Sequence, residues 1–112
     1  MSSGVYQNLV LPRGIMRDFI YTSPAGALGE VHDTPQCWGI IGTDLFIRNR
    51  GAAALTIAVN GPASNVVTVD PGDVYLINDT QFTFVQIVSA VIYDFQVFGV
   101  RIATLRKMRL IR

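Results

Sequence analysis

From residue 44 onward, apolar and polar side chains alternate with a period of two, the pattern of strands that turn every second side chain toward a core. Leu45 and Ile47 alternate with Asp44, Phe46 and Arg48, and Leu55, Ile57 and Val59 alternate with Thr56 and Ala58. Asn49-Arg50-Gly51 between them is a turn signal, because glycine enters positive φ freely and asparagine tolerates it, so a hairpin is expected here. Asn60-Gly61-Pro62 stops the second strand, since Pro62 has no N–H to give to a ladder. Val66 to Val69 resumes the pattern. Asp70-Pro71-Gly72-Asp73 then turns the chain, with proline fixing φ at the first central position and glycine free at the second. Val74 to Ile77, Phe82 to Val88 and Val91 to Phe98 complete six predicted strands, rich in the β-branched and aromatic residues that suit a pleated surface. In the last of them Val91, Tyr93, Phe95 and Val97 share one face, opposite Asp94 and Gln96. The predicted fold is all-β, an antiparallel β-sandwich or jelly-roll-like domain over residues 44–103.

Residues 1–43 follow a different rule. Prolines 12, 24 and 35 and six glycines preclude a long regular element, yet Val5-Tyr6, Leu9 to Leu11, Ile15-Met16, Phe19 to Tyr21 and Trp38 to Ile41 are apolar. A linker would be polar. The segment is read as an extended N-terminal arm with one or two short strands, laying its apolar residues on its own sandwich or on a neighbour.

With 112 residues there is room for one core. Half of the residues are hydrophobic and 15% are charged, too apolar for a disordered chain and apolar enough to expect a partner surface. The best apolar run, Phe82 to Val100, is interrupted by Thr83, Gln86, Ser89, Asp94 and Gln96, so no membrane span is expected. The opening residues show no basic stretch leading into a long apolar core, so no secretory leader is expected. Charge divides the chain. The last twelve residues carry Arg101, Arg106, Lys107, Arg109 and Arg112 with no acid, whereas residues 1–100 hold four bases against all eight acids, a net of −4. The basic tail, 104–112, suggests docking on the acidic body of an identical subunit through Arg106, Lys107, Arg109 and Arg112. Phosphate of a nucleic acid is the second candidate for it.

Candidate chemistry is thin. A single cysteine, Cys37, and a single histidine, His32, provide neither a disulfide nor a zinc set, and read best as a buried thiol and a loop histidine. The aspartates 44, 70, 73 and 79 sit at turns or strand ends, where the side chain bends and caps backbone. Gly26-Ala27-Leu28-Gly29 lacks the Lys-Ser/Thr that a phosphate loop needs. A cupin-like metal enzyme would need a histidine cluster that the chain lacks. No catalytic residue, metal or cofactor is expected.

The runs Leu45-Phe46-Ile47-Arg48-Asn49-Arg50-Gly51, Leu55-Thr56-Ile57-Ala58-Val59-Asn60-Gly61 and Val69-Asp70-Pro71-Gly72-Asp73 resemble small β-sandwich virion proteins of tailed bacteriophages. The likeness covers residues 44–98. It implies a capsid decoration, head-completion or tail component located in the virion, with the sandwich as scaffold and the arm reaching across subunits. Contacts are then expected through Tyr6, Leu9, Leu11, Phe19, Ile20 and Tyr21. The implied partners are identical subunits, with a trimer as the first stoichiometry to test, and other virion proteins. The alternative is a module binding carbohydrate or another surface ligand on exposed aromatics such as Trp38, Phe46, Tyr75 or Tyr93.

Overall fold

The computed structural model describes residues 15–60 and 66–110. Eight strands form two four-stranded antiparallel sheets. They are β1 (Asp18–Thr22), β2 (Gly29–Asp33), β3 (Ile40–Asn49), β4 (Leu55–Val59), β5 (Val66–Val69), β6 (Val74–Ile77), β7 (Phe84–Val88) and β8 (Tyr93–Arg101). The first sheet runs β1-β8-β3-β6 and the second β2-β7-β4-β5. Eight strands in two sheets with this order, the chain crossing between sheets at most connections, make a jelly roll. A short helix α1 (Thr34–Trp38) links β2 to β3, and α2 (Ile102–Lys107) follows β8.

The core lies where period two puts it. Leu45 and Ile47 of β3 and Phe95 and Val97 of β8 face Leu55 and Ile57 of β4 and Val85 and Ile87 of β7, all of them buried. Phe82 seals one end. Its backbone exchanges hydrogen bonds of 2.8 and 2.9 Å with Gly42, and a Cβ on Gly42 would stand 2.2 Å from the Phe82 ring.

Two expectations need correction. The sandwich begins at Asp18 rather than at residue 44, because β1 supplies an edge of the first sheet and β2 an edge of the second. The one or two short strands expected in residues 1–43 are β1 and β2, and both lie on the chain's own sandwich. A bulge in β1, where the register passes from Phe19↔Phe98 to Tyr21↔Val97, leans both Ile20 and Tyr21 on the sandwich's own core.

Asn49-Arg50-Gly51 does not close a hairpin. Both edges of β3 are occupied, by β8 and β6, so the chain must leave for the other sheet. Buried Asn49 fixes that crossing: its Nδ2 donates to the carbonyls of Ala53 (2.8 Å) and Val69 (2.9 Å), and its Oδ1 accepts from the Gly51 N–H at 2.9 Å. The Asp70 to Asp73 turn forms as predicted, with Gly72 at φ 82° and the Asp73 N–H on the Asp70 carbonyl at 3.0 Å. It too joins the two sheets.

The start of the basic tail is a helix. Ile102 and Leu105 of α2 join Ile41 and Val100 in a second, smaller core, with Ile15 and Leu110 packed against it. Ile40 belongs to the main core and Ile41 to the second, so α2 and Ile15 cover one end of the outer surface of the first sheet.

Candidate functional site

Beyond that covered end, the outer surface of the first sheet carries an apolar patch among the described residues. The register places Phe19 beside Phe98 and Phe98 beside Asp44, and in the next rows Gln96 beside Phe46, Phe46 beside Leu76, and Arg48 beside Val74. Phe19 and Leu76 are 54% and 55% exposed, and Val74 46%. The Phe19 and Phe98 rings meet at 5.1 Å. Phe46, Leu76 and Phe98 wall an open depression of about 290 Å³, with Arg17, Asp44 and Asn78 alongside. Arg17 bridges Asp44 at 3.1 Å and also pairs with Asp79. A sheet face exposed to water would normally be polar, so an apolar row framed by ion pairs is the anatomy of a contact surface.

A second cluster holds the side chains of catalytic type. The β2 strand is written inside out: Val31 is 57% exposed, while Glu30 and His32 turn inward with side chains 9% and 16% exposed. Glu30 Oε1 accepts from the Tyr21 hydroxyl and lies 2.9 Å from His32 Nε2, and Oε2 accepts from the Tyr93 hydroxyl at 2.8 Å. Tyr21, His32 and Trp38 stack on one another with ring centroids 4.5 to 4.9 Å apart. Burial, and after it the hydrogen bond to Glu30, raise both phenols well above their ordinary pKa. Three donors from β1, β2 and β8 thus converge on one carboxylate, joining the edge strands of both sheets. The arrangement holds the sandwich shut; its donors already have their acceptor.

His32 therefore lies on a strand rather than in a loop. Cys37 is exposed on α1 and not the buried thiol expected. Among the described residues, no three of His, Cys, Asp and Glu gather to hold a metal ion.

Of the residues expected at interfaces, Tyr6, Leu9, Leu11 and Arg112 lie outside the described residues. Phe19 faces outward on the apolar row, whereas Ile20 and Tyr21 face the core. Arg106, Lys107 and Arg109 are exposed at the end of α2. Phe46, Leu76 and Phe98 of the apolar face were missed as a set, although Phe46 at a polar position of the alternating β3 pattern carried the signal. The aromatics named for a ligand platform do not form one. Phe46 is on the outer face, Tyr75 packs on the core, Tyr93 is 3% exposed within it, and Trp38 stacks on Tyr21. Compared with family models, curated proteins and solved structures, the chain matches none of them.

Proposed function

We propose that the protein is a non-enzymatic structural subunit, a decoration, head or tail component of a phage virion, that assembles through the outer face of its first sheet. The observation that carries this reading is the outward-facing apolar patch of Phe19, Phe98, Phe46 and Leu76, with Phe19 and Leu76 exposed and Phe46 and Phe98 half-buried between them. Its occupant is the apolar segment Val5 to Leu11 of a neighbouring copy. Two features support that choice. Ile15, the first described residue, packs on the second core beside this face, and Arg17 lines the depression.

The test is native mass by light scattering, for the full chain and for two variants. The full chain is expected to be an oligomer, and both deletion of residues 1–12 and Phe98→Asp should give folded monomers. A full-length monomer, or an oligomer indifferent to both changes, sinks the reading.

A further inference from the structure

We infer that the end of α2 is a binding site for the phosphate backbone of duplex nucleic acid, formed by Arg106, Lys107 and Arg109. The helix stops in a Schellman motif: the Leu110 N–H bonds the Leu105 carbonyl at 2.9 Å, and the Arg109 N–H bonds the Arg106 carbonyl at 3.0 Å. Arg109 is the left-handed residue of that motif, at φ 59°. Glycine takes this conformation freely, and a side chain there costs about 1–2 kcal/mol. The helix dipole accounts for cations in the last turn, Arg106 and Lys107, but any attraction of that kind leaves glycine the less strained residue at 109. A strained arginine points to a use for its guanidinium.

The array is also fixed in place. Leu105 is fully buried and Leu110 folds back on the second core, so the cations stand on an anchored support.

The distribution of acid selects the partner. Asp18 faces Arg101, Asp44 and Asp79 share Arg17, and Asp94 faces Arg50. Glu30 is enclosed by phenols and Asp33 caps α1 through the Gln36 N–H. Asp70 and Asp73 remain, exposed on a turn whose backbone is hydrogen-bonded to Asn49. A second copy thus offers the tail two exposed acids on one turn and no wider acidic face, and among the described residues no acid pairs with Arg106, Lys107 or Arg109. An anionic bilayer fits less well, because the apolar side chains Ile102, Leu105 and Leu110 point inward and, among the large apolar side chains of the described residues 102–110, leave only Met108 exposed for insertion.

The experiment is fluorescence anisotropy of a labelled 20-base-pair duplex with the full chain at 50 and 200 mM salt. Three phosphate contacts predict weak binding that falls roughly 40-fold over this range, from a slope of about 0.9 per contact. Arg109→Gly should keep or raise the melting temperature, leave native mass unchanged, and weaken binding with a slope lower by about one. Arg48→Gln, at the far end of β3, should bind as the unaltered chain does. No binding at 50 mM salt, binding unchanged in the Arg106→Gln, Lys107→Gln, Arg109→Gly triple variant, or binding to phosphatidylserine vesicles but not to duplex would each overturn the inference. Because native mass is read in parallel, failure here is separable from failure of the assembly reading.

Discussion

Asn49 shows how one buried polar side chain can decide a crossing. It is 1% exposed, and its three hydrogen bonds stitch the end of β3 to the start of the crossing and to β5. Asn49→Ala leaves two carbonyls and one N–H without their partner, and since each such group costs about 1–3 kcal/mol when buried, a loss of at least about 2 kcal/mol is expected in urea denaturation. Tyr93 makes a different statement at the same scale. Its phenol is held neutral in the fold by burial and by Glu30, above the pKa of about 10 that it has in an unfolded chain. Below that pH both states keep the proton and nothing changes. Above it the unfolded chain releases a proton that the fold retains, so stability should fall with rising pH, by up to about 1.4 kcal/mol per unit for this phenol. Thermal melts between pH 8 and 11 check this, with Tyr93→Phe flattening the decline.

Elements differ in how openly the chain announces them. Strands β3 to β8 were legible because their alternate residues are apolar and those residues form the core. The β2 strand was not, since its inward positions are Glu30 and His32 and its outward one is Val31, an inversion of the pattern on which strand reading rests. In β1 the bulge at Ile20 breaks the period of two. The α1 helix was legible in principle: Asp33 caps it, Pro35 sits in its first turn, and Gly39 ends it at φ 65°. Pairing could not be read at all, because nothing in Asn49-Arg50-Gly51 says that β3 already has a partner on each side. The apolar face was half visible, in Phe46 and Phe98, but only register brings those two and Leu76 together. The close approach at Gly42 offers a test on this scale. Phe82 is fully buried and its ring has no free space, so Gly42→Ala should cost about 1–3 kcal/mol or more, seen as a lower urea midpoint with an unchanged slope.

On the scale of the molecule, the first and last described residues, Ile15 and Leu110, lie at the same end and on the same side. The β1 strand starts where β8 finishes, Asp18 pairing with Gly99, and Ile15 and Leu110 pack on one small core. Function as proposed is concentrated there and on the sheet face beside it, with the apolar row for other subunits and the cations of α2 for phosphate. The position of β8 has a consequence for how the chain reaches this state. The last strand to be made is an interior strand of the first sheet, flanked by β1 and β3, and until it arrives β1 has no neighbour in that sheet. Synthesis therefore cannot lay the sandwich down from one side to the other. While β3 and β6 can pair with each other, β1 must wait unpaired for a segment more than seventy residues downstream, a closure that is slow for entropic reasons and leaves one edge of β3 open in the meantime. A nascent chain halted before Tyr93 would lack the centre of that sheet rather than its border.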